Sequence, residues 1–391
     1  MPRVLGESTT VLIVAGEASA DRYAARVVER LRERVSARRL RFVGTGGDHL
    51  QTTGVELIAH VRELASIGPR EAVSKLLKYF ETYRNVVREV MERRPAAALL
   101  LDFPEFNLRL AARLKRAGIP VIYYVSPQIW AWRRYRVRAI RAHVDRMLVI
   151  LPFETEFYRR HGIHAEFVGH PLLEDFGPRR ERSMFLRSLG LDPGRTTLAL
   201  MPGSRRKEVD YILPLLVGAA AEIGREMRVQ CMISVAPTIA PEQVRGILAR
   251  TAVPSESHPD LRVVTADSRD VLASADFALV KSGTSTLEAA LACTPHLVTY
   301  RISPISWFAG KILIRSRFKG LANLIADEGI VPELLQNEAT PARLSAAALG
   351  YLRDSSKLEG MKSRLRYIRE RLGEQRASAA VADVLAGYLD A

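Results

Sequence analysis

Short apolar runs alternate with helical patterns along the first half of the chain. Val11 to Ala15 is uninterrupted and apolar, as a strand buried on both faces of a parallel sheet would be. Ser19 to Arg34 follows with helical spacing. Leu40 to Val43, Ala96 to Leu101, Val121 to Val125, Met147 to Leu151 and Ala165 to Val168 are further short runs, and helical patterns fill most of the gaps. This alternation predicts a doubly wound parallel sheet. The rhythm breaks after Gly169-His170-Pro171. Glu174 to Gly194 is polar, carries Pro178 and Pro193 with Arg179, Arg180 and Arg182, and reads as a linker. A second series starts at Thr196, with runs at Thr197 to Leu200, Gln230 to Val235, Leu261 to Thr265, Phe277 to Val280 and His296 to Tyr300. Beyond Ala339 the pattern is helical throughout: Pro341 to Arg353, Lys357 to Leu372 and Ala377 to Leu389.

The expected organisation is therefore α/β, with two Rossmann-like doubly wound domains at 1–173 and 174–356. The helices from about 357 to 391 are expected to pack back on the first domain. The length of 391 residues suits two domains, each with its own core. Ligands in open α/β sheets bind at the carboxyl ends of strands, so a cleft between the two domains is the expected site.

Composition narrows the class. Hydrophobic content of 48% and charged content of 26% are those of a globular protein. No apolar stretch approaches the ~18 residues of a membrane span. The start, Met1-Pro2-Arg3-Val4-Leu5-Gly6-Glu7, has no long apolar region, so no signal peptide is expected. Cys231 and Cys293 sit in apolar segments and read as buried, reduced thiols of a cytoplasmic protein. Eight histidines are scattered without ligand spacing, so no structural zinc is expected. Lys and Arg number 58 against 43 acids, a net charge of +15. That excess attracts a polyanion, an anionic lipid or a phosphorylated substrate. Part of it is a solvated helix face, where Arg26, Arg30, Arg34 and Arg38 lie beside Glu29 and Glu33.

Chemistry concentrates at strand ends. Met201-Pro202-Gly203-Ser204-Arg205 and Lys281-Ser282-Gly283-Thr284-Ser285-Thr286-Leu287-Glu288 each follow an apolar run and precede a helical pattern. A strand that breaks at Gly-Ser or Gly-Thr and enters a helix leaves free backbone N–H groups, an anion site. Arg205 adds a phosphate partner and Glu288 a ribose partner, so the pair suggests a nucleotide diphosphate. The bland alternative is two ordinary strand-to-helix turns. No Asp-x-Asp pair ends a strand, so neither a divalent metal nor another cofactor is expected.

In the first half, Gly16-Glu17-Ala18-Ser19-Ala20-Asp21 ends the first strand, with Ser19 as the predicted helix cap. Glu17 at a strand's carboxyl end points toward the cleft. Asp102 ends another apolar strand, and Pro104 is expected to delay the following helix, leaving Asn107 to cap it from Leu108. A carboxylate held there can act as general base on a hydroxyl. Tyr123-Tyr124-Val125-Ser126-Pro127-Gln128-Ile129-Trp130-Ala131-Trp132-Arg133 sets aromatics beside a run of arginines that continues through Arg141, which suits a sugar, a membrane surface or single-stranded nucleic acid. Ile305 to Arg315, with Trp307 and Phe308, is apolar with cationic flanks. So is Ala65-Ser66-Ile67-Gly68-Pro69 with Val73, Leu76 and Leu77. Both are candidates for a membrane patch.

Taken in order, these landmarks resemble the lipid-A-disaccharide synthase family, inverting glycosyltransferases of the GT-B fold. The matching set is Gly16-Glu17-Ala18-Ser19, Asp102-Phe103-Pro104, Tyr124-Val125-Ser126-Pro127, Trp130-Ala131-Trp132-Arg133, Leu151-Pro152-Phe153-Glu154, Gly169-His170-Pro171, Pro202-Gly203-Ser204-Arg205, Lys281-Ser282-Gly283-Thr284, Glu288 and Asn323. It spans residues 11 to about 340. Ala20 stands where the family turn has Gly, Glu105 where Asp is usual, and Ala322 where Pro is common. The resemblance implies transfer of a diacylglucosamine from UDP-2,3-diacylglucosamine to 2,3-diacylglucosamine 1-phosphate (lipid X), making lipid A disaccharide 1-phosphate and UDP. It implies Asp102, Glu17 and Ser19 as catalytic residues. Gly203, Ser204, Arg205, Ser282, Gly283, Thr284, Glu288 and Asn323 would bind the UDP-sugar, and Trp130, Trp132 and Arg133 the lipid acceptor. The implied place is the cytoplasmic face of the inner membrane, held through anionic lipid, with a homodimer among the partners considered. Another GT-B enzyme, such as the peptidoglycan glucosamine transferase or a UDP-sugar 2-epimerase, is the rival. The Trp130 to Arg133 segment and the Gly16-Glu17 turn argue against both. Nucleic acid is not an expected partner, because no clustered basic tail or binding motif is present.

Overall fold

A computed structural model describes residues 8–35, 40–64, 72–131, 133–251, 260–302, 317–373 and 376–389. The chain divides into two compact units, one of residues 1–174 with 373–391 and the other of residues 175–372.

In the first unit the described strands are β1 (Thr9–Ala15), β2 (Leu40–Gly46), β3 (Glu56–His60), β4 (Ala97–Leu101), β5 (Val121–Tyr124), β6 (Arg146–Val149) and β7 (Ala165–Phe167). All pair in parallel, in the order β3-β2-β1-β4-β5-β6-β7. β1 and β4 are fully buried from Val11 and Ala97 onward, which explains their unbroken apolar runs. Their side chains divide between two cores. Val11, Ile13, Leu99 and Leu101 pack with the helix Ala18–Arg34, while Leu12, Val14, Ala98 and Leu100 pack with the helix Pro104–Arg116. The sequence pattern missed β3, an edge strand with no fully buried residue, whose mixed composition hides its period.

The second unit is built the same way. Its described strands β8 (Thr196–Met201), β9 (Val229–Ser234), β10 (Asp260–Val264), β11 (Phe277–Lys281), β12 (His296–Tyr300) and β13 (Glu333–Leu335) are all parallel, in the order β10-β9-β8-β11-β12-β13. β13, another half-buried edge strand, was also not legible.

Three expectations change. The polar stretch read as a linker contains a helix, Arg182–Ser188, capped by the Glu181 carboxylate, which accepts from Ser183 N–H at 2.9 Å and Met184 N–H at 3.0 Å. Buried Asp270 accepts from the Arg179 N–H at 2.6 Å, so this segment is fastened to the second unit. Of the C-terminal helices only Ala377–Ala386 joins the first unit. Ala377, Val381, Ala382 and Leu385 enter its core, Asp383 pairs with Arg34, and Ser378 N–H donates to Glu174. The helix Ser355–Arg371 stays with the second unit, burying Met361, Leu365 and Ile368. Cys231 is buried, as expected, and burial pushes its thiol pKa up. Cys293 is only half-buried.

Candidate active site

The strand order reverses direction between β1 and β4 in the first unit, and between β8 and β11 in the second. At such a switch point the two following helices leave on opposite faces and open a crevice at the strands' carboxyl ends. Glu17, Ser19, Asp102, Gly203 to Arg205, Ser282 to Thr284 and Glu288 follow these four strands, whereas Trp130 and Arg133 follow β5 and Asn323 lies in the helix Leu321–Ala326.

In the first unit, Glu17 follows β1 and is the exposed cap residue of the helix Ala18–Arg34, with no side-chain capping bond. Ser19 is exposed and already inside that helix, so its predicted capping role is corrected. Ala20 is buried in the first helical turn and is not among the left-handed residues, so the turn does not require the family glycine here. Asp21, also buried, does the positioning. Its carboxylate accepts from the N–H groups of Gly47 at 2.6 Å, His49 at 3.1 Å and Leu50 at 3.1 Å, fixing the turn after β2. Gly16 is needed for close approach, because a Cβ there would lie 2.3 Å from the Phe103 ring.

That ring belongs to the turn after β4. Asp102 and Phe103 are both left-handed, each with φ of 46°. For side chains with a Cβ this costs about 1–2 kcal/mol each. Two donors hold the strained turn. The Asn107 amide donates to the Asp102 carbonyl at 2.8 Å and to the Leu101 carbonyl at 3.1 Å, and the Tyr123 hydroxyl donates to the Asp102 carbonyl at 2.5 Å. The helix begins at Pro104 with Phe103 as cap residue. The expectation that Pro104 delays it and Asn107 caps it is therefore corrected: proline at the first helical position lacks only a donor that would be idle anyway. Burial pushes the Asp102 carboxyl up to about 6, and nearby Glu17 adds to it.

Glu105, one residue into this helix turn, pairs with both Arg133 and Arg136. Burial is the largest single influence and works against its charge, but the Arg136 hydrogen bond, a backbone hydrogen bond and the charges of Arg136 and Arg133 together outweigh it and hold the carboxyl below its usual range. Arg133 is exposed and left-handed. Trp130 is half-buried, and its indole donates to Glu154 at 3.2 Å. Burial pushes the Glu154 carboxyl up to about 7, despite bonds from Leu151 N–H, Ser126 and Trp130. Trp132 lies outside the described residues, as do Ala65 to Pro69 and Ile305 to Arg315. Nothing is described of the Val73, Leu76 and Leu77 side chains either.

In the second unit β8 and β11 are neighbours, with Met201 beside Val280. Their turns lie side by side. Gly203 has φ of 110° and Gly283 φ of 144°, conformations a side chain would strain. The helices Arg206–Glu226 and Thr284–Leu291 start just beyond, and the leading N–H groups of a helix have no partner four residues back. In the second helix the Thr286 N–H donates to the Gly283 carbonyl at 3.0 Å, which leaves the N–H groups ahead of it. Ser204, Arg205 and Thr284 are exposed, and Glu288 is half-buried one turn into its helix. The Ser282 hydroxyl donates to the Lys319 carbonyl at 2.8 Å, and Leu321 N–H donates to Thr286 at 3.0 Å, which ties the 319–321 loop to this turn.

Asn323 needs correction as a direct ligand. It is buried, and its amide donates to the Val331 carbonyl at 2.9 Å and to Glu333 at 2.8 Å. Its oxygen accepts from Ile330 N–H at 2.8 Å and Val331 N–H at 2.9 Å. An amide has two donors and two acceptor sites, so none remains for a nucleotide. It positions the 319–321 loop through Glu333, which accepts from Lys319 and Gly320 N–H. Ala322, where a proline was expected, is buried in the adjoining helical turn.

Glu208 is not singled out by the sequence, and Lys281 appears there only as the first residue of its turn, with no role of its own. Lys281 ends β11, and its ammonium lies 3.0 Å from the Glu208 carboxylate beneath both glycine turns. A cation closing an otherwise apolar buried strand was the available signal.

Two all-parallel, doubly wound units, each with its polar strand-end residues at the switch point, define the GT-B glycosyltransferase fold. Solved structures agree on the fold. Acinetobacter baumannii MurG matches with a TM-score of 0.60 at 14% identity, over 97% of this chain and 99% of that one. The UDP-GlcNAc 2-epimerase of Neisseria meningitidis, bound to UDP-GlcNAc, matches with a TM-score of 0.63 at 12% identity, over 97% and 100%. Sequence is far more specific: the lipid-A-disaccharide synthetase family model matches residues 11–385, and the chain belongs to that family. The lipid-A-disaccharide synthase of Anaeromyxobacter dehalogenans strain 2CP-C is 42% identical over 385 residues, 97% of each chain. Family and fold together make the chain a hexosyltransferase.

Proposed function

We propose that the chain transfers 2,3-diacylglucosamine from its UDP carrier to the 6-hydroxyl of 2,3-diacylglucosamine 1-phosphate, forming a β-1,6 bond and releasing UDP. The supporting observation is the clustering of the nominated strand-end groups at the two switch points. In this reading the second unit takes the nucleotide. As the bond to UDP breaks, negative charge builds on the diphosphate, and two helix N-termini with Arg205 stabilise it. Glu288 accepts ribose hydroxyls. In the first unit Asp102 takes the proton of the acceptor hydroxyl, and Arg133 meets the acceptor phosphate. Glu17 is the rival base. Mass spectrometry of the product from the two acylated sugars tests the reaction: a disaccharide 1-phosphate with one equivalent of UDP is expected. Free diacylglucosamine, or turnover of UDP-GlcNAc alone, would overturn it in favour of hydrolysis or a 2-epimerase.

Both substrates carry acyl chains, so the enzyme must work at a bilayer. Among the described residues no helix is long and apolar enough to cross a membrane. Attachment is proposed to be peripheral, at the cytoplasmic face of the inner membrane, through the excess positive charge and an apolar patch. Flotation with vesicles is expected to need anionic lipid and to weaken as salt shortens the Debye length from ~10 Å at 0.1 M to ~3 Å at 1 M. Equal binding to neutral and anionic vesicles at every salt concentration would remove the electrostatic part.

A further inference from the structure

Glu208 poses a problem for any anion bound between the glycine turns of the second unit. Its side chain is only 11% exposed, and it sits in the first turn of the helix whose N-terminus would hold the anion. A Cβ added to Gly203 would lie 3.1 Å from Glu208 Oε2, so the carboxylate lies directly beneath the turn. An unneutralised carboxylate there would repel a diphosphate. Two cations face it. Arg205 is 73% exposed and reaches it only at 3.5 Å, so Arg205 is free to turn toward a ligand. Lys281 is 14% exposed and holds it at 3.0 Å. Lys281 is itself confined. Its ammonium lies 5.3 Å from the centre of the Tyr300 ring, and Cβ atoms built on Gly203 and Gly283 would meet its side chain at 3.3 and 3.4 Å.

Resting on the donor-site reading above, we infer that Lys281 is the fixed counter-charge of the diphosphate site: it neutralises Glu208, which releases Arg205 for the nucleotide. Lys281 is thus a positioning residue that acts on the ligand through Glu208, and the pair sits between the two turns as a neutral floor. Burial lowers the Lys281 pKa, and Glu208 opposes that shift without cancelling it.

Calorimetry would compare UDP, UMP and uridine on the full-length wild-type chain, Lys281→Met, Glu208→Gln and the double variant. Lys281→Met is expected to weaken UDP by about 10–100-fold, the scale of one close charge interaction at partial burial. UMP should lose less, and uridine should stay within about twofold. Glu208→Gln in the same chain should restore most of the UDP affinity, because the charge needing neutralisation is gone. Equal losses for UDP and uridine would show a packing role and overturn the inference, as would a double variant no better than Lys281→Met. Should Lys281→Met fail to fold, Glu208→Gln alone decides: retained or tighter UDP binding supports the inference, and weaker binding overturns it. UDP binding that needs Arg205 but not Lys281 overturns this inference alone. A wild-type chain that binds no UDP overturns the donor-site reading beneath it.

Discussion

Asp102→Asn is expected to lower kcat by about 10²–10⁴-fold, the range for general-base catalysis. UDP affinity should hardly change, because the loss falls on the transition state. The substitution keeps the size of the side chain and removes its basicity, so the left-handed turn, held through its backbone by Asn107 and Tyr123, is left in place. Glu17→Gln is the control. If Asp102→Asn turns over near normally while Glu17→Gln abolishes activity, the two roles must be exchanged. The wild-type rate should also fall as pH drops through about 6, where burial and Glu17 place the Asp102 carboxyl. A base must be ionised to act, so the acid limb of the profile should disappear in the Asn variant's residual activity.

The same group carries a stability signature of opposite sense. Its folded pKa lies above its value in an unfolded chain, ~3.9. Between those values the native state binds more protons, so the contribution is most favourable below pH ~4 and is lost as pH rises through about 6. Asp102→Asn should therefore raise the melting temperature at pH 7.5 and lose that advantage near pH 4. A variant equally stable or less stable at pH 7.5 would show that the carboxylate is better solvated than its burial implies.

The second large effect is expected at Arg205. Arg205→Ala should weaken UDP binding by roughly 1.5–3 kcal/mol, the range for a hydrogen bond to a charged group. That is about 10–150-fold in affinity. Its guanidinium is exposed and makes one long contact, to Glu208, so truncation should leave the fold stable. Surface ion pairs of this kind are worth ~1 kcal/mol at most. The loss should appear with UDP and be small with uridine. Unchanged UDP affinity by calorimetry would remove Arg205 from the site.

Much of this architecture is legible in the linear pattern. Strands buried on both faces must be continuously apolar, so β1, β4, β8 and β11 stand out without any tertiary information. The turns after them stand out too, since glycine and hydroxyl residues between a strand and a helix have few other uses. Edge strands β3 and β13 do not, because Glu56 and His60 close in on three apolar residues in one and only Leu334 and Leu335 follow Glu333 in the other; the half-buried edge strands β7 and β10 are legible. Helix starts were misplaced for a related reason. Ser19 and Asn107 are good caps by composition. The actual starts at Ala18 and Pro104 follow from how Phe103 packs on Gly16, and from where Asn107 finds backbone carbonyls to bond.

By itself, then, the sequence determined two parallel α/β units, the four strand-end turns and the family they resemble, because periodicity, turn chemistry and motif order are local properties of the chain. The tertiary structure decided what each polar side chain is free to do. It committed Asn323 to its own loop, bound Glu105 to Arg133 and Arg136, and placed Lys281 against Glu208 beneath two glycines. The physical reason is strand order. Residues far apart in sequence share a switch point only after the sheet has formed, and burial, the quantity that moves the Asp102 and Glu154 carboxyls, exists only in the folded chain.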